Sequence, residues 1–68
     1  MIKNAYVTIV ASDELTEMRL SELVGRKGLV VEDLSFMEAG TRGGMVLLEE
    51  TYLDEFVWFI PESAVAYE

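Results

Sequence analysis

The stretch from Glu55 to Glu68 reads EFVWFIPESAVAYE and includes the single proline of the 68-residue chain. Residues 56–60 are aromatic or β-branched, which favours a strand. Pro61 has no backbone N–H to donate to a sheet, so the strand should end there. The residues that follow it suit one tight turn, because a proline at the first turn position has a preset backbone angle. We therefore predict a strand, a single helical turn and a brief last strand over residues 64–67.

Three segments upstream also have the composition of strands. They are Ala5–Val10 (AYVTIV), Lys27–Leu34 (KGLVVEDL) and Met45–Glu50 (MVLLEE). Residues 36–44 hold three of the five glycines of the chain and predict a flexible hairpin connection. The segment TYLDE predicts a short turn. Together these patterns predict five short strands in a single domain that spans residues 1–68.

The long connection after the first strand admits two interpretations, and the first is a helix over residues 13–24. Ser12 or Asp13 would cap such a helix and Gly25 would end it. Three apolar residues would share one face, and they are Leu15, Met18 and Leu23. Leu20 falls off that face, so the pattern is imperfect. A helix here would give the protein an α+β fold.

The second interpretation is a loop with one helical turn, capped by Ser21 and ended by Gly25. We favour this loop, which gives an all-β fold. Its apolar side chains would then cover an outer face of the sheet, and the alternative is that this face is exposed for a partner or a second copy. A five-stranded open sheet of this length has unpaired edges and a thin core, and curling into a small barrel removes both problems.

Two segments of the chain resemble parts of the SH3-like barrel. WFIPESAV resembles the 3₁₀ turn and short last strand that close that fold, and LVGRKGLVVEDL resembles the glycine-containing opening of its KOW-type branch. The resemblance implies a five-stranded barrel with a long first loop and a 3₁₀ turn before the last strand. The tyrosine with which SH3 domains hold proline-rich peptides is absent after Pro61, where Glu62 follows. The resemblance therefore does not carry over polyproline binding.

The composition excludes several classes of function. The chain has no cysteine and no histidine, so it can form no disulfide, no thiolate metal site and no Ser-His or Cys-His nucleophile pair. We predict no enzymatic activity, no cofactor and no metal site. The four carboxylates of residues 49–55 lack the spacing of a calcium loop and predict a solvated hairpin tip.

The formal net charge of -8 comes from 13 acidic and 5 basic side chains. A field of this sign repels nucleic acid and anionic membranes and favours basic partners. No run approaches the length of a membrane span, and we interpret the N-terminal residues as the first strand rather than a signal peptide. We expect a cytoplasmic protein with no membrane association.

Three strands are apolar on both faces, although a small barrel buries only one face of each strand. We therefore predict a non-enzymatic protein-interaction module that binds a protein partner or a second copy of itself through an outer apolar face with acidic surroundings. The candidate partner-binding residues are Trp58, Phe56, Tyr52, Phe36 and Tyr6. Two alternatives remain open: a KOW-like regulator associated with nucleic acid, and an acidic mimic of nucleic acid that blocks a basic protein surface.

Overall fold

The computed structural model describes residues 1–34 and 42–68, which form one five-stranded antiparallel sheet with the strand order β4-β3-β2-β1-β5. The strands are β1 (Tyr6–Ile9), β2 (Lys27–Asp33), β3 (Gly43–Tyr52), β4 (Glu55–Pro61) and β5 (Val65–Tyr67). All five predicted strands are confirmed, and the β-rich fold with them. β4 and β5 lie at opposite ends of this order, and the described strands form no ladder between those ends. The hydrogen-bonded sheet is therefore open.

The turn at Pro61 has the predicted form. Strand β4 ends at Pro61, a 3₁₀ turn follows at Glu62–Ala64, and β5 begins immediately afterwards. Pro61 has a φ of -65°, which is the value that its ring imposes. None of the helices in residues 1–34 and 42–68 is long and apolar enough to cross a membrane.

Strand β3 is longer than the sequence predicted at both ends. Gly43 and Gly44 belong to the strand rather than to the hairpin connection, and the rest of that predicted connection, residues 36–41, lies outside the described residues. These two positions require glycine because neighbouring atoms leave no room for a Cβ atom. A Cβ atom on Gly43 would lie 2.7 Å from the ring of Phe59, and one on Gly44 would collide with the carbonyl oxygen of Glu32.

The predicted short turn between β3 and β4 is a two-residue hairpin loop. Tyr52 pairs with Glu55 across it, and the two loop residues, Leu53 and Asp54, have φ values of 51° and 65°. Two consecutive positive φ angles match the right-handed twist of the flanking strands. The four carboxylates of residues 49–55 thus lie in or beside the hairpin tip and are exposed, as predicted.

The connection from β1 to β2 contains two short helices, so both interpretations of it were incomplete. Helix α1 spans Asp13–Glu17, and its cap is Ser12, whose hydroxyl accepts a hydrogen bond from the N–H of Leu15. A 3₁₀ turn follows at Ser21–Leu23, but Ser21 does not cap it.

The connection forms two short helices rather than one long helix because the backbone at Arg19 has a φ of 61°. The N–H of Arg19 donates to the carbonyl of Thr16, and the N–H of Leu20 donates to that of Leu15. This pair of hydrogen bonds is a Schellman motif, which ends a helix and brings an apolar residue back onto it. Leu20 therefore lies in the core although it does not fit the face of a continuous helix.

A single hydrophobic core lies on one side of the sheet. Its strand residues are Val7, Ile9, Val30, Val46, Leu48 and Ile60, and Ala64 joins them from the second 3₁₀ turn. Leu15, Leu20 and Leu23 from the first connection belong to the same core. The connection thus fills the inner side of the sheet, and the prediction that it covers an outer face is wrong.

Candidate interaction surface

The register of the sheet places four apolar side chains in one row on the face opposite the core. Tyr6 pairs with Leu29, Leu29 pairs with Leu47, and Leu47 pairs with Val57. Directly opposed residues point to the same face of a sheet, so this row crosses strands β1 to β4. Tyr6 is 63% exposed, Leu47 38% and Val57 41%.

A second pair lies beside this row on the same face. Met45 pairs with Phe59, and both side chains are half-buried. The ring of Phe59 lies over the backbone of Gly43, which explains part of its burial. We call the combined set the outer apolar surface, and it consists of Tyr6, Leu29, Met45, Leu47, Val57 and Phe59.

Carboxylates border this surface on two sides. Glu32 pairs with Met45 at one margin. Glu68 donates its backbone N–H to the carbonyl of Tyr6 at the other margin, and its carboxylate oxygen lies 3.9 Å from the Nζ atom of Lys27. Lys27, which lies on the same face of β2 two residues before Leu29, thus already faces a carboxylate.

An aromatic cluster lies at the hairpin end of β3 and β4. Trp58 pairs with Val46, a core residue, so the indole faces the core side of the sheet, where it is half-buried. Its Nε1–H donates to the carbonyl of Glu55 at 3.1 Å, and its ring lies 5.4 Å from that of Tyr52. The polar atom of Trp58 therefore has a partner within the chain.

Tyr52 connects this cluster to the first connection. Its hydroxyl donates to Oε2 of Glu22 at 2.8 Å, and the guanidinium of Arg26 lies 5.4 Å from its ring centre. The hydrogen bond to the carboxylate raises the pKa of Tyr52 above its usual 10.0, and desolvation and the negative charge of Glu22 act in the same direction while Arg26 opposes them. The contact is a hydrogen bond that exists only while the phenol is protonated.

The four candidate residues that the structure describes do not form one surface. Tyr6 belongs to the outer apolar surface, whereas Trp58 and Tyr52 form the aromatic cluster on the core side. Phe56 is 50% exposed on β4, and Phe36 lies outside the described residues. The role of these residues in partner binding remains a prediction.

Sequence reasoning missed most members of the outer apolar surface, which lie on β2, β3 and β4. The signal for them was the two-faced apolar character of LVV, MVLL and FVWFI. Aromatic residues are the usual anchors of interfaces, so a sequence points to them before aliphatic ones, and the strand register that assembles the row is not visible in a single sequence.

Comparison of the chain with protein-family models, with curated proteins and with solved structures finds no match. Among the described residues, no group of three or more acidic, cysteine or histidine side chains is arranged to hold a metal ion.

Proposed function

We propose that this protein is a non-enzymatic interaction module whose outer apolar surface binds a protein that carries basic residues. The observation that carries the proposal is the row from Tyr6 to Val57, in which four directly opposed strand residues present apolar side chains away from the core. Contiguous exposed apolar patches on small proteins mark association sites.

The exposure of this surface fits weak and reversible binding. Fully burying one Val, Leu or Phe side chain contributes roughly 1.5–3 kcal/mol. Leu47 and Val57 are already more than half buried in the free protein. Each therefore contributes less than this free energy when a partner covers it. Additional affinity would have to come from polar or charged contacts around the surface.

The charge distribution favours a basic protein over nucleic acid as the partner. The net charge of -8 steers basic surfaces toward the chain and slows the approach of phosphate backbones. Arg26 stacks against Tyr52, and Lys27 faces Glu68. The two adjacent basic side chains are thus engaged within the chain, which weakens the case for the KOW-like alternative.

An SH3-like barrel is the architecture that we propose for the module. The strand order, the long connection after β1 and the 3₁₀ turn before β5 support this proposal. In such a fold one sheet face is buried and the other is free for partners, which agrees with the outer apolar surface.

The test exchanges two exposed leucines for lysine. Leu47 lies in the row, whereas Leu53 lies at the hairpin tip and is 72% exposed. Proteins captured from a native lysate by the wild-type chain should be lost with Leu47→Lys and retained with Leu53→Lys, and circular dichroism should show both variants folded. A captured set that is the same for both variants would contradict the proposal.

A further inference from the structure

The hydrogen-bond pattern of β4 shows which backbone groups point away from the sheet. The N–H of Glu62 donates to the carbonyl of Arg42 at 2.8 Å, which continues the ladder that pairs Gly43 with Pro61 and Gly44 with Ile60. In an antiparallel ladder, every second residue pair exchanges hydrogen bonds. The backbone groups of Ile60 and Trp58 therefore point toward β3, and those of Val57, Phe59 and Pro61 point away from it.

The hydrogen bonds between β3 and β2 show the same orientation for the backbone of β4. The N–H of Leu34 donates to the carbonyl of Gly43, so the backbone of Gly43 points to β2. The next residue of a strand bonds on the opposite side, so Gly44 and then Val46 bond to β4. The backbone groups of Val57 and Phe59 therefore face away from β3, toward the outer edge of β4.

This edge has no protein partner in residues 1–34 and 42–68, because β4 is the end strand of the sheet. The outward N–H and C=O groups of Val57 and Phe59 form no hydrogen bond within those residues. Pro61 is the third outward position of β4, and it has no N–H donor to offer there. Val57 and Phe59 thus present two donors and two acceptors at strand spacing beside the exposed side chain of Val57, which is 41% accessible.

We infer that an extended segment of the partner protein adds to this edge as a further antiparallel strand. This inference rests on the proposed function and specifies how the partner is held. An added strand would form four backbone hydrogen bonds with Val57 and Phe59. Its apolar side chains would continue the outer apolar surface beyond β4.

The charges around the edge define the chemistry of that segment. Residues 56–61 are uncharged, whereas Asp54 and Glu55 precede them and Glu62 follows. An apolar segment with lysine or arginine at both ends complements this distribution. A second copy of β4 fits less well, because pairing Val57 with Phe59 of the other copy brings Asp54 against Glu62 at both ends, and like charges that face each other are destabilising.

The test is amide NMR of the full chain with a synthetic peptide, in which a short run of alternating valine and threonine lies between two pairs of lysines. The amide signals of Val57 and Phe59 should shift, and their hydrogen exchange should slow in the complex. Val57→Pro removes the outward donor and leaves the ladder to β3 intact, so peptide binding should weaken by about tenfold. Val57→Thr keeps the donor and serves as the matched control.

Two further controls keep the result interpretable. Protected amides at Trp58 and Ile60 show that the sheet is intact in each variant. If Val57→Pro does not fold, a chain made by chemical ligation with N-methylvaline at position 57 removes the same donor. A peptide with glutamates in place of the lysines should bind more weakly, and equal binding would overturn the requirement for basic ends.

The remaining outcomes separate this inference from the proposed function. Shifts confined to Leu29 and Leu47, without slower exchange at Val57, would overturn strand addition and support the outer apolar surface. Absence of peptide binding would also overturn strand addition, and the Leu47→Lys capture experiment then decides the proposed function independently. Contacts between the Trp58 rings of two copies, seen without peptide, would overturn the choice of a partner segment in favour of self-association.

Discussion

Leu53 adopts a backbone conformation that leucine rarely takes. Its φ is 51°, and its side chain is 72% exposed at the hairpin tip, so little packing offsets the strain. Asparagine tolerates this region better. We expect Leu53→Asn to recover part of the roughly 1–3 kcal/mol that this conformation costs a residue other than glycine, and so to raise the free energy of unfolding, measured by urea denaturation. Thr51→Asn, at an exposed strand position, should give no such gain, and equal gains would contradict the conformational cause.

The hydrogen bond from Tyr52 to Glu22 should make the free energy of unfolding decrease as the pH rises through the alkaline range. The pKa of Tyr52 in the folded protein is raised above 10.0, so the bond stabilises the fold fully below pH 10.0. That contribution is lost as the pH rises through the folded pKa. Tyr52→Phe should therefore be less stable than the wild type at neutral pH, and the difference should shrink in strongly alkaline solution.

The measurement for Tyr52→Phe is the free energy of unfolding of both proteins over a series of pH values. The difference in tyrosinate absorbance between them gives the titration of Tyr52 directly. A stability difference that stays constant through the whole alkaline range would contradict the role of the phenol proton.

A serine lies at the start of each short helix of the first connection, and only one of the two caps its helix. Ser12 accepts the N–H of Leu15, whereas the 3₁₀ turn that starts at Ser21 has no side-chain cap. Ser12→Ala should lower the free energy of unfolding by about 1 kcal/mol, and Ser21→Ala should change it much less. Parallel denaturant titrations of both variants test this, and equal losses would contradict the assignment of the cap.

At the level of elements, the sequence was sufficient where strand-favouring composition and Pro61 determine the structure. The five strands follow from runs of β-branched and aromatic residues, and the turn at Glu62–Ala64 follows from the missing N–H of proline. The first connection was not predictable in the same way. Its course depends on a positive φ at Arg19, and neither helical periodicity nor a glycine indicates that conformation.

The outer apolar surface shows the same limit at the level of the whole molecule. The two-faced apolar strands predicted that some such surface exists, but its members depend on pairing across four strands and on a register shift between Val30 and Glu32. Trp58 is the single tryptophan of the chain, and the register places it on the core side rather than in this surface.

The net charge of -8 should make the stability of the whole molecule sensitive to salt. The molecule measures 29 × 26 × 21 Å, and the screening length falls from about 30 Å at 0.01 M salt to about 8 Å at 0.15 M. Repulsion therefore acts across the whole molecule only at low salt. We expect sodium chloride to raise the melting temperature over this range, as followed by circular dichroism.

A charge variant provides the control for this salt effect. Glu17 and Glu50 are exposed, and replacing both by lysine adds two positive units at each site, so the formal charge changes from -8 to -4. The salt-induced rise in melting temperature should be smaller in this variant. An equal rise would show that general salt effects, rather than repulsion between carboxylates, control the stability.

The pairing of β1 with β5 has a consequence for how the chain folds during synthesis. Val7 pairs with Tyr67, so β1 can complete its pairing only after residues 65–67 have been synthesised. β1 to β4 are neighbours in chain order and can pair as a meander, but β1 keeps one side unpaired until residues 65–67 are available. Contacts so distant along the chain also slow folding, because the entropy of closing the intervening loop is lost before the contact stabilises the fold.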